Sequence, residues 1–144
     1  MAEGNGGGMR PKKPRTRKGW KKYCDNLWSY AVRLRDNFTC QKCHKKYPEN
    51  SRGLHPHHLF TRSKKSTRWD MDNGLTLCFA HHLYAHSHPH DFKDWLIGKK
   101  GQEWWSNLRY MSNQIKKIDL ELTAVILEAV IREMEDDRTL NRKT

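Results

Sequence analysis

Apolar residues recur at helical spacing over residues 20–36, where Leu27, Tyr30, Ala31 and Leu34 share one face. Asp36-Asn37 breaks the pattern, and residues 40–53 read as a turn-rich loop. Residues 54–60 predict a short strand and residues 74–78 a second, with a polar, basic loop over 61–68 between them. Residues 81–87 fit a helix that stops at Pro89. Two further short helices are expected over 91–97 and 101–111, separated by Gly98-Lys99-Lys100-Gly101. The strongest helical pattern covers 119–135. There Leu122, Val125, Ile126, Ala129, Val130 and Glu133 make an apolar stripe with a charged flank. That stripe is expected to pack on the Trp-rich segment of Trp95, Trp104 and Trp105. The order strand, loop, strand, helix, with helices on either side, predicts an α+β fold.

Length and composition refine this reading. At 144 residues the chain fits one domain with a tail. Residues 1–19 are Gly-rich and then basic (Arg10, Lys12, Lys13, Arg15, Arg17, Lys18), with no apolar repeat. They read as a disordered arm that either adds salt-sensitive phosphate contacts or merely solubilises the chain. Residues 20–90 form the expected central domain, and residues 91–144 a helical extension packing on it. The most apolar stretch, residues 120–131, is too short to cross a membrane and carries Glu121 and Glu128. No apolar run marks a secretory leader, so a cytoplasmic protein is expected. Full disorder is excluded by the 10% aromatic content and six Trp.

Lys plus Arg is 28 against 16 Asp plus Glu, a net charge of +12, and mean hydropathy is −1.03. Such a balance points to a polyanionic partner, usually nucleic acid. The basic residues alternate with His and Cys rather than with an exposed apolar face, which argues against a membrane patch.

The chain has four Cys (Cys24, Cys40, Cys43, Cys78) and nine His, most of them from His55 to His90. With no sign of secretion, Cys40-x2-Cys43 reads as half of a metal site rather than a disulfide. Cys78-x2-His81 supplies a second pair at the same spacing. Together the four make a closed site of the structural zinc kind, in which His44 competes with His81 for the fourth place. A two-Cys, two-His finger is excluded, because Thr61, Arg62 and Ser63 stand where its last His must fall after His57. A second set uses different residues. His82 and His86 are i,i+4 on a predicted helix, and His57 comes from the preceding strand. Three imidazoles leave open positions on a divalent ion. His58 points to the opposite strand face and is free for acid–base work, and Asn73, at the start of the second strand, can fix the orientation of its ring.

His57-His58, Asn73 and His82-x3-His86 resemble the HNH nuclease motif, in the strand–loop–strand–helix order of the ββα-metal (His-Me finger) superfamily. Cys40-x2-Cys43 and Cys78-x2-His81 resemble the zinc knuckles of one HNH branch, and the segment from His57 to His86 is similar to small bacteriophage HNH proteins. The resemblance covers residues 36–89 and omits the arm and the C-terminal helices. It implies His58 as general base and Asn73 as the residue holding its ring, directly or through the local backbone. It implies His57, His82 and His86 as ligands of one catalytic ion, with Cys40, Cys43, Cys78 and His81 on structural Zn²⁺. Many relatives carry Asp in place of His57 and Cys in place of His81. An all-imidazole site leaves the catalytic ion open among Mg²⁺, Mn²⁺, Ni²⁺ and Zn²⁺. Arg62, Lys64, Lys65 and Arg68 are positioned in the inter-strand loop to grip phosphates.

The expected activity is therefore metal-dependent hydrolysis of DNA, duplex or branched, with little sequence preference and with 5′-phosphate and 3′-hydroxyl products. A phage or mobile-element protein working inside a bacterial host, as monomer or homodimer, fits that expectation. The competing reading is a non-catalytic, zinc-stabilised DNA-binding accessory module for phage recombination or packaging. His58 separates the two, since a binding module has no need of it.

Overall fold

The computed structural model describes residues 12–143, so the expected disorder of residues 1–11 lies outside the described residues. The first helix, α1 (Arg17–Arg35), starts earlier than its apolar pattern. Thr16 caps it by accepting the Gly19 N–H at 3.0 Å, so three residues assigned to the arm are helical. α1 ends at Asp36, where Asn37 and Phe38 take left-handed backbone angles (φ 54° and 52°) and reverse the chain. Phe38 tolerates that conformation because its ring is buried, 1% exposed.

Two strands, β1 (Leu54–His58) and β2 (Gly74–Cys78), pair antiparallel from Leu54↔Cys78 to His58↔Gly74. β1 is shorter than expected. Beyond it the Asn73 carboxamide takes over both backbone groups of Phe60, accepting its N–H at 2.8 Å and donating to its carbonyl at 3.0 Å. Every residue of β2 is buried. Its start lies under α1, where a Cβ on Gly74 would come within 2.5 Å of Trp28 and 2.6 Å of Val32. The Asp36 carboxylate accepts the Thr76 N–H at 2.9 Å, tying the end of α1 to the strand.

β2 leads directly into α2 (Phe79–Ser87), then α3 (Pro89–Lys100) and α4 (Gln102–Ser112). α3 starts on Pro89, whose fixed φ suits a first helical position. It runs through Gly98 rather than breaking there. The break falls at Gly101, whose φ of 99° few other residues adopt. The Trp-rich segment packs beside β2 with Leu75, Leu77 and Phe92, and the Phe60 and Trp105 rings lie 4.9 Å apart.

The last helix, α5 (Leu120–Lys143), corrects two expectations. It packs along α1, not on the Trp-rich segment. Its buried face is Leu120, Ala124, Leu127 and Ile131, while Leu122, Val125 and Ile126 face solvent. The two helices run side by side in the same direction, with Tyr23 donating to Glu128 and Tyr30 to Glu135, each at 3.0 Å. Trp28, only 2% exposed, is the largest side chain in this contact. Its truncation to Ala would cost about 3–5 kcal/mol. The whole is α+β: a small antiparallel sheet walled by α1 on one side and α2–α4 on the other.

Candidate functional site

The reversal at residues 37–38 carries Cys40 back over the sheet, where its N–H donates to Lys45 and Gln41 N–H to Thr76. His44, with φ 66°, completes a tight knuckle after Cys43. The second knuckle forms where β2 becomes α2, with Cys78 at the helix N-cap and His81 in the first turn. The result is one cluster of Cys40, Cys43, Cys78 and His81, all ligand atoms within 4.8 Å of one another. His44 is not part of it. Cys78 Sγ lies 3.3 Å from His81 Nδ1, Cys40 Sγ 3.6 Å from the same nitrogen, and Cys43 Sγ 4.0 Å from Cys78 Sγ. A tetrahedral zinc site with ordinary bond lengths has ligand–ligand edges of about 3.6–3.8 Å. The Cys3His cluster therefore fits a structural metal such as zinc.

Electrostatics at the cluster agree. Burial pushes the Cys40 thiol up, but the backbone N–H groups of Cys43, Cys78 and Lys42 and the His81 ring outweigh it and bring the thiol down to about 6. Cys78, raised by burial and by its neighbouring sulfurs, holds its proton longer. Cys24 takes no part. It is fully buried against α5, where its thiol donates to the Leu120 carbonyl at 3.3 Å.

The second cluster is His57, His82 and His86, again with ligand atoms within 4.8 Å. The i,i+4 spacing on α2 sets His82 Nε2 and His86 Nε2 3.2 Å apart. His57 comes from β1, and its ring lies 5.2 Å from that of His82 and 5.1 Å from that of His86. Phe92 stands edge-on behind His57 at 5.5 Å. Burial first, then the His82, His86 and His58 rings, push His57 down to about 3. Burial and the flanking imidazoles also lower His82. Neutral imidazoles converging on one point are what a divalent ion needs. His55 stacks on His82 at 5.0 Å, outside the ligand set.

His58 turns to the other face of β1. Its ring stacks on Trp28 of α1, with centroids 3.9 Å apart and planes within 10°. Its Nε2 lies 2.9 Å from the Arg68 carbonyl. A carbonyl only accepts, so Nε2 is the protonated nitrogen and Nδ1 carries the free lone pair. Burial lowers the His58 pKa, opposed by the Arg68 carbonyl and by Asp25. His57, His58, His82 and His86 all line one cleft of about 520 Å³, to which α1 contributes Asp25, Trp28 and Ser29.

Asn73 is fully buried and does not touch the His58 ring. It fixes the backbone just beyond His58 instead. The basic loop divides in two. Arg68 donates to both oxygens of Asp25, at 3.0 and 2.6 Å, and Lys64 donates to Asn113 at 2.8 Å. Arg62, Lys64 and Lys65 are exposed, and Arg62 also reaches Asp25, at 3.9 Å. Asp25 also accepts from Trp69 Nε1 at 2.8 Å, so Trp69 is a core residue. Asp25 and Trp28 went unnoticed in the sequence. The one available signal was that Asp25 is the only acid in a strongly basic helix.

No helix among the described residues is long and apolar enough to cross a membrane. No protein-family model, curated protein or solved structure matches the chain.

Proposed function

We propose that this chain is a divalent-metal-dependent DNA endonuclease of the HNH kind, with a ββα-metal core stabilised by zinc. One observation carries the reading. Three imidazoles converge on a point in the cleft, while a fourth, His58, sits in the same cleft on separate supports. A closed binding module has no use for that division.

The residues have distinct parts in the hydrolysis. His57, His82 and His86 would hold the catalytic ion, which when bound neutralises charge on the scissile phosphate and the departing 3′-oxygen. His58 Nδ1 accepts a proton from water, and the water oxygen bonds to phosphorus as the P–O3′ bond breaks. The departing 3′-oxygen takes a proton from solvent, so the products carry a 5′-phosphate and a 3′-hydroxyl. The Arg68 carbonyl and the Trp28 ring keep the imidazole in one tautomer and one plane. Lys65, and Arg62 from its long 3.9 Å contact with Asp25, would reach backbone phosphates, whereas Arg68 is held tightly by Asp25. The charge of +12 favours a polyanionic substrate.

The test is cleavage of supercoiled plasmid by the zinc-loaded protein with Mg²⁺, Mn²⁺ or Ni²⁺, against an EDTA control. We expect metal-dependent nicks that DNA ligase reseals, because ligase requires those two end groups. A protein that retards the plasmid without cutting it in any of these ions is the zinc-stabilised binding module instead.

A further inference from the structure

The outer face of α5 is apolar although its inner face is already packed on α1. Leu122, Val125 and Ile126 are 55%, 59% and 54% exposed, and Ala129 continues the stripe one turn later. The charges around this face are mixed: Lys116, Lys117 and Asp119 come before the apolar turns, Arg132 adjoins them, and beyond them lie two acids, Glu133 and Asp136, all of them exposed. Neither acid makes an ion pair among the described residues. None of these residues belongs to the cleft or to either cluster.

We infer that α5 is a homodimerisation surface, on which a second copy of this chain lays its own α5 antiparallel. The stripe is self-complementary about a two-fold axis between Val125 and Ile126. That axis sets Leu122 of one copy against Ala129 of the other, large against small, and Val125 against Ile126. The same register carries Glu133 and Asp136 of each copy toward Lys116 and Lys117 of the other. A parallel pair would instead face Glu133 with Glu133 and Lys117 with Lys117. The charge pattern thus selects the antiparallel arrangement and a partner carrying both halves, which this chain does. Ile126 and Val130 extend the apolar surface into a groove of about 360 Å³ beside Trp69, Met71 and Ile118. A single helix face is small for an interface, so the dimer is concentration-dependent, in the micromolar range.

The experiment is sedimentation equilibrium of the full zinc-loaded chain from low micromolar to several hundred micromolar protein. The expected mass climbs from 17.2 kDa toward twice that value. Val125→Glu holds it at the lower value throughout, with an unchanged far-ultraviolet circular dichroism spectrum because the side chain is exposed. Lys117→Glu and Glu133→Lys each weaken association about tenfold, and the double variant recovers it. A wild-type chain that stays monomeric over the whole range overturns the proposal, as does a dimer that Val125→Glu leaves intact. Charge reversals without effect overturn the antiparallel arrangement. None of these readouts depends on nuclease activity.

Discussion

His58 owes its position to two groups far away in sequence, Trp28 beneath its ring and the Arg68 carbonyl at Nε2. Asp25 holds Arg68 in turn. Asp25→Asn removes the charge that anchors the guanidinium while keeping the shape. We expect it to lower plasmid cleavage about tenfold with the zinc content unchanged, as measured side by side with wild type. Gly74 makes a sharper test of the same corner. Any Cβ there meets Trp28 and Val32 inside ordinary contact, so Gly74→Ala should destabilise the fold by about 1–3 kcal/mol in denaturant titration. Stability equal to wild type would mean that α1 does not press on β2 as described. The four histidines themselves were readable, because i,i+4 spacing and strand alternation are local geometry. Asp25 and Trp28 were not, since their roles arise from contacts thirty or more positions away along the chain.

Between elements, the α1–α5 contact is closed by protons as well as by apolar packing. Burial, then Asp25 and Glu128, push the Cys24 thiol up to about 11, and burial and Glu135 push Tyr30 up to about 12. Both groups keep their protons in the fold at pH values where the unfolded chain loses them. Stability from this source is complete below about pH 9 and is lost as pH rises through 11 to 12. Melting temperature should therefore fall across that alkaline window, and Cys24→Ala should flatten its lower part. The sequence misled at α5 for a physical reason. Leu120, Ala124, Leu127 and Ile131 form one helical stripe, and Leu122, Val125, Ile126 and Ala129 form another on the opposite side. Periodicity alone gives no means of telling which stripe meets the core. The start of α1 was missed for a similar reason, because Thr16 acts through a cap rather than through any apolar repeat.

For the molecule as a whole, the Cys3His cluster joins the loop after α1 to the junction of β2 and α2. A small sheet with a divided core relies on such a clip. We expect about one tightly held zinc per chain, and a clear fall in melting temperature when a strong chelator removes it. A zinc-free chain that melts at the original temperature would show the cluster to be incidental. α2 carries His81 toward the Cys3His cluster and His82 and His86 toward the cleft, so loss of the clip should also disorder the second cluster. The knuckles were legible because paired Cys-x2-Cys and Cys-x2-His spacings are specific by themselves. The contribution of α1 to the cleft was not, because it depends on how the helix crosses the sheet.

The proposed nuclease rests on a division of labour between His58 and the three-histidine cluster. It is tested most directly by comparing wild type and His58→Ala for plasmid cleavage and, on the same samples, for Mn²⁺ binding by calorimetry. We expect unchanged Mn²⁺ affinity with cleavage reduced by about a hundredfold to ten-thousandfold. Cleavage by His58→Ala at the wild-type rate, with the ion still bound, would contradict it.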